Sequence, residues 1–254
     1  MNSRTVLLAL SALGICASAQ ADLFLDLELA SYGAGSRQQV SANSNLLYDE
    51  TSGSEVFYNV LATEHVWDNL ISGQTGIISH CVEIYQSVSL NEVYEFGVVP
   101  LTDVPQTGGS WPGEMGEQRA ILVRDLYANY VDPLTGGVYD AGDVTNDYAA
   151  AFQVMLWEIT HERFTADTAS GMAAQIFVDF GAIQWQTNNE DSVGVILEEM
   201  KAVLNDGAFT SADVEGWTNP TAQDQSALIP IPGPATLIAL GIASPFFGRR
   251  RRQS

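Results

Sequence analysis

The sequence predicts an α+β fold, a β-rich core of sandwich or barrel-like form carrying two to three helices. Three observations predict it. Up to Leu101, runs of β-branched and aromatic residues are separated by Gly, Ser and Asn. Beyond Glu117 the apolar residues recur at three- and four-residue spacing. Strand-like and helix-like segments are grouped rather than alternating, which argues against βαβ units.

Leu23, Leu25, Leu27 and Leu29 alternate with Phe24, Asp26 and Glu28, the period-two pattern of a strand with one buried face. Glu55 to Leu61, Gly76 to Leu90 and Val93 to Leu101 read as further strands, and Gln106 to Gly116, with Gly108-Gly109 and Trp111-Pro112, as a loop. From Glu117 to Val131 the positions Ala120, Val123, Tyr127 and Tyr130 mark one helical face, and the helix must end before Pro133. A second helix is expected from a cap at Asn146 or Asp147 to about Glu162, and a third over Asp191 to Leu204, closed by Asn205-Asp206-Gly207. The weakly patterned remainder to Leu228 leaves room for a returning strand.

The chain has 254 residues, 46% hydrophobic and 16% charged, enough for one sizeable core. All 31 acidic residues lie between Asp22 and Asp224, against five basic ones in that stretch, a net charge of −26. Such a field repels phosphate backbones, so no nucleic-acid partner is expected. Residues 1–21 read as a signal peptide: Arg4 supplies the positive start, Val6 to Ile15 the apolar stretch, and Ala17-Ser18-Ala19 or Ala19-Gln20-Ala21 the cleavage site. The expected organisation is this signal, an acidic ectodomain over 22–228, and a tail over 229–254.

The tail enters through spaced prolines, runs through apolar or small residues from Ala235 to Phe247, and ends in Arg249, Arg250, Arg251 and Arg252. Its apolar stretch is shorter than the roughly 20 residues of a spanning helix. The arginines favour a cytoplasmic end, leaving the ectodomain outside. The tail resembles those of the PEP-CTERM proteins, with Pro232-Gly233-Pro234 standing where that family most often has Pro-Glu-Pro. The resemblance implies recognition by an exosortase-type processing enzyme, at least transient contact with the membrane, and a cell-envelope or extracellular-matrix location in a Gram-negative-type bacterium that makes extracellular polysaccharide and biofilm.

Cys16 leaves with the signal peptide, so Cys81 is a single thiol in an exported chain, expected in the strand Ile77 to Ile84. On the second helix Gln153 shares a face with Ala149, Ala150, Leu156 and Trp157; an amide in such surroundings needs a partner. The small alanines one turn earlier allow close approach of another element, for instance the Cys81 strand. Three readings of the thiol are open: a core thiol, an intermolecular disulfide, or a bond to Gln153.

An early strand cysteine, with a helix-borne Gln followed four residues later by Trp, resembles the Cys–Gln thioester domains of bacterial surface adhesins. Here His80 precedes the cysteine, and Phe152 and Met155 flank the glutamine. The resemblance covers about Gly76 to Glu162. It implies that Cys81 and Gln153 are thioester partners, the sulfur replacing the amide nitrogen with release of ammonia, and that a surface amine or hydroxyl is captured covalently.

Other constellations are thinner. Glu158-x-x-His161 lacks the second pair a di-metal site needs, and His161-Glu162 lacks the second histidine of a zinc-protease helix, so these residues read as a solvated face. No catalytic metal or cofactor is expected. Asp132, Asp140, Asp143 and Asp147 surround a glycine-containing loop and could hold calcium. There is no Gly-x-Ser-x-Gly elbow. The expectation is therefore a non-enzymatic surface protein, adhesive through Cys81 and Gln153. The alternatives are an exported hydrolase acting on polysaccharide or protein, and a carbohydrate-binding module using Trp111, Trp185 or Trp217.

Overall fold

A computed structural model of the chain describes residues 24–106, 111–139, 141–186 and 191–229. Residues 1–21, expected to be a signal peptide, and Pro232, Gly233, Pro234 and Arg249 to Arg252, expected to form the sorting motif, lie outside the described residues. No helix among the described residues is long and apolar enough to cross a membrane.

The fold is α+β. Seven strands, β1 (Phe24–Ala42), β2 (Tyr58–Asn69), β3 (Ile77–Cys81), β4 (Val93–Pro100), β5 (Ile183–Gln186), β6 (Val214–Thr218) and β7 (Gln225–Leu228), accompany helices α1 (Gly116–Tyr130), α2 (Thr145–His161), α3 (Ala169–Ala173) and α4 (Asp191–Leu204). All pairings between named strands are antiparallel, in the order β2-β3-β7-β6-β4-β1-β5. A further pairing of β1 with β2 turns this order into a ring of bonding rather than a barrel. The ring is narrowest between β3 and β7, which share only the pairs His80↔Ser226 and Cys81↔Gln225.

β1 makes the ring possible because it changes neighbours along its length. Its first residues pair with β4, Leu27 onwards with β2, and its last four with β5. Register shifts between Leu29 and Ser31 and between Tyr32 and Gly35 re-aim it, as bulges do. At Gly35, φ is 145° and a Cβ would collide with the Ala62 carbonyl oxygen, so only glycine fits. Glu64 holds the second shift: its carboxylate accepts hydrogen bonds from Ala34 N at 3.0 Å and Val138 N at 2.7 Å.

Two apolar clusters result. Leu27 and Leu29, the inward residues of the opening alternation, meet Trp67, Phe96 and Trp217 on one side of the sheet, with Trp67 edge-on to Phe96 at 5.4 Å. The larger cluster holds the helices, with α2 at its centre. Every residue of α2 from Ala149 to His161 is buried, as expected of a helix surrounded by protein rather than lying on it.

Several expectations are corrected. Only Ile77–Cys81 of the run from Gly76 to Leu90 is a strand. Beyond it Val82 N bonds to Asp224 O and Tyr85 N to the Glu83 carboxylate, which turns the chain away. β2 starts at Tyr58 and continues to Asn69, past the expected Leu61. Neither Asn146 nor Asp147 caps α2: Asn146 Oδ1 accepts from Gly35 N and Asp147 from Ser192 Oγ, tying the helix start to β1 and α4. Two strands, β6 and β7, occupy the weakly patterned end, and the short β5 and α3 had no readable pattern.

Candidate functional site

The structure brings Cys81 and Gln153 together. β3 ends at Cys81, and Ala149 and Ala150, both fully buried, let α2 lie close against it. Gln153 Oε1 accepts a hydrogen bond from Cys81 N at 3.1 Å, while its Nε2 donates to Cys81 O at 2.6 Å. The side-chain amide thus completes both backbone groups of the cysteine, as a neighbouring strand would, and needs no water to do so. Gln153 is 0% and Cys81 2% exposed.

The sulfur lies 2.6 Å from Glu83 O and beside the Trp157 indole. Burial pushes the Cys81 thiol well above its ordinary range; the charges of Glu83 and Asp224 add to this, and the Trp157 N–H opposes it. As a free thiol it stays protonated at neutral pH and is a poor nucleophile. Trp157 Nε1 is buried with no conventional hydrogen-bond acceptor among the described residues, so the soft sulfur is what its N–H faces. Burial also closes the route to an intermolecular disulfide.

The three histidines flank this seam, all buried and all neutral. Burial lowers His65 to about 4, and His80 and His161 to about 3. His80 Nδ1 meets Tyr127 Oη at 3.1 Å, and Tyr127 reaches Ser226 on β7. On β2, His65 Nδ1 meets Gln225 Oε1 at 2.9 Å. Gln225 Nε2 donates to Gln223 O, and its Oε1 already accepts from Ser79 Oγ, so the hydrogen must sit on His65 Nδ1 and the lone pair on Nε2. His161 Nε2 accepts from Ile84 N at 3.4 Å, fixing the segment just after Cys81.

Glu158, His161 and Glu162 are thus buried rather than solvated, reversing the sequence expectation. They anchor chain rather than metal. Glu162 accepts from Arg163 N, Ala182 N and Ile183 N, and Glu158 from Phe177 N. Arg119 donates to the carbonyls of Thr160 and Glu162. Burial raises Glu162 to about 7 and Glu158 well above the usual carboxylate range.

A cavity of about 580 Å³ opens beside the seam, and Trp157 is one of its walls. Tyr32, Tyr85 and His65 add rings, and Gln86, Ser87, Thr221 and Gln223 add amides and hydroxyls. Trp157 also faces the Cys81 sulfur, so one side chain touches both the cavity and the sulfur.

The remaining candidates disperse. Trp217 is buried and donates to Glu215; Trp185 is half-buried and donates to Gln38; half-buried Trp111 packs 5.5 Å from the His161 ring. No group of three or more His, Cys, Asp or Glu among the described residues could hold a metal ion. Of the proposed calcium ligands, Asp132 accepts from Leu134 N and Asp147 from Ser192 Oγ, while Asp140 lies outside the described residues. Sequence reasoning had no signal for Glu83, Glu64 or His65, whose roles depend on contacts distant in the chain. Trp157 was visible as part of the Gln-to-Trp spacing, but its N–H facing the sulfur was not. Comparison with family models, curated proteins and solved structures finds no match to this chain.

Proposed function

We propose that this is an exported surface or matrix protein that stores a thioester between Cys81 and Gln153 and uses it to capture a nucleophile covalently. The observation that carries this reading is the double hydrogen bond between the Gln153 amide and the Cys81 backbone inside a seam closed to water. In the forming step Cys81 Sγ attacks Gln153 Cδ. The C–N bond breaks, and the thiol proton leaves with the nitrogen as ammonia. The Cys81 N–H, already 3.1 Å from Oε1, is placed to stabilise the charge that develops on that oxygen. A thioester survives only where water is kept out, and the buried residues of α2 supply that exclusion.

The tail motif Pro232-Gly233-Pro234 with Arg249 to Arg252 completes the proposal, as the feature handed to an exosortase-type enzyme once the ectodomain is outside. The test is the intact mass of the exported protein, purified from a secreting host, before and after methylamine. The expected result is a mass low by one ammonia that rises by one methylamine, with neither change in Cys81→Ala. A full mass, with a thiol that titrates only on unfolding, makes Cys81 core packing and refutes the thioester.

A further inference from the structure

The cavity beside Trp157 differs chemically from the surface around it. The chain carries 31 acidic residues, yet none of the described residues lining the cavity is Asp, Glu, Lys or Arg. Burial keeps its one histidine, His65, neutral. A lysine ammonium entering it would lose water and find no carboxylate among the lining residues, a costly exchange, although the Glu83 charge is felt at Tyr85 and the Glu83 and Asp224 charges at Cys81. The walls offer aromatic faces at Tyr32, Tyr85 and Trp157, and amide or hydroxyl groups at Gln86, Ser87 and Gln223. One buried polar atom there, the acceptor Gln86 Oε1, lacks a hydrogen-bond partner among the described residues, whereas the Trp157 N–H faces the Cys81 sulfur. Apolar rings for C–H faces, with amide and hydroxyl side chains for the sugar's hydroxyls, are what a neutral sugar requires. The volume is that of a small-molecule site.

We infer that this cavity is an acceptor subsite for a neutral saccharide, and that the protein is built to form an ester with a sugar hydroxyl rather than an amide with a lysine. The inference rests on the thioester reading for its covalent step and on the cavity alone for its binding step. In the covalent step the hydroxyl oxygen attacks Gln153 Cδ, the C–S bond breaks, and the hydroxyl proton ends on the Cys81 sulfur. The product is a Gln153-derived ester and a free thiol, so atoms balance without a further reactant. Trp157, which touches both the cavity and the sulfur, has to shift for the hydroxyl to reach the carbon.

The experiment incubates the exported protein with a mixture of soluble neutral glycans (maltodextrin, xylan and dextran) or with Nα-acetyl-lysine, and reads adducts by intact mass. In parallel, Cys81→Ala, which cannot react, is tested for glycan contact by saturation-transfer NMR. The expected result is a glycan adduct that outpaces the lysine adduct and falls about tenfold in Tyr85→Ala, the loss of one stacking ring. Methylamine uptake should be unchanged in that variant. Tyr85 is 54% exposed and Gln86 Oε1 has no partner, so Tyr85→Ala and Gln86→Ala should both fold. Methylamine uptake with a dominant lysine adduct, indifferent to Tyr85→Ala, overturns the saccharide while leaving the thioester. Absence of methylamine uptake sinks the thioester, and the cavity is then judged on Cys81→Ala alone: no saturation transfer to the glycans overturns it.

Discussion

The two halves of α2 bury their polar side chains for different ends. In the first half the buried group is Gln153, a neutral amide whose oxygen and nitrogen are both taken by Cys81. At the close of the helix stand Glu158, His161 and Glu162, which collect backbone N–H groups from Phe177, Arg163, Ala182, Ile183 and Ile84. Carboxylates and a neutral imidazole accept hydrogen bonds well and serve as anchors. An amide carries in addition an electrophilic carbon, and here its oxygen and nitrogen are both bonded to the backbone of the residue that carries the thiol. Polarity inside a helix is therefore not a signature of function by itself. What distinguishes the Gln153 stretch is the chemical complementarity of the two groups and the Trp157 N–H that faces the sulfur beside them.

The largest effect expected from breaking this comparison is that of Gln153→Ala. It leaves Cys81 N and O unpaired in the core and should cost about 2–5 kcal/mol, read by urea unfolding, while abolishing the ammonia deficit. Cys81→Ala should abolish the same deficit for about 1 kcal/mol. Equal stability of the two variants would mean that the amide is not holding the strand end.

Glu162→Ala should be next, at about 2–4 kcal/mol, because three backbone N–H groups lose a buried acceptor. Its folded fraction should still take up methylamine in full. Loss of uptake at unchanged fold would show that the two halves of the helix act as one unit.

Trp157→Phe keeps the wall of the seam and removes the N–H facing sulfur. The yield of thioester should not change, and its opening by methylamine should slow about three- to tenfold, the worth of one hydrogen bond to the departing sulfur. A time course of intact mass reads this, and an unchanged rate would reduce Trp157 to packing.

The smallest effect is a pH slope. Glu162 is raised to about 7 in the folded protein from an ordinary 4.5, so the folded state holds its proton more tightly than the unfolded one. Its contribution is fully present below about 4.5 and is lost as pH rises through 7, by at most ~1.4 kcal/mol per pH unit. The buried histidines act in the opposite sense, their contribution being lost as pH falls from 6.5 towards 3 to 4. Comparing urea midpoints of Glu162→Gln and the parent between pH 4.5 and 7 isolates the first slope, and identical slopes would contradict it.

Local patterning carried much of this architecture into view. The opening alternation of leucines, the α1 face at Ala120, Val123, Tyr127 and Tyr130, and the extent of α4 are all set by period and by stop signals near each element. What stayed illegible depends on partners far away in the chain. The middle of β1 passes through Ala-Ser-Tyr-Gly-Ala-Gly, whose bulges are stabilised by Glu64 and leave no alternation to read. The Glu158-to-Glu162 end of α2 looks polar in isolation, and only the chain from Phe177 to Ile183 reveals why it is buried. At the candidate site the cysteine and glutamine could be read as residues that each need explaining, whereas the cavity draws on β1, β2, the turn after β3, α2 and the loop before β7.

The thioester itself is read out by a tryptic digest of the protein purified from a secreting host, made under denaturing, amine-free conditions and analysed by tandem mass spectrometry. Cleavage at Arg37, Arg119, Arg124 and Arg163 places Cys81 in peptide 38–119 and Gln153 in peptide 125–163. The two should travel as one cross-linked species, lighter than their sum by one ammonia, and separate after methylamine with the added mass on Gln153. Two unlinked peptides of full mass, with Cys81 as a free thiol, would contradict it.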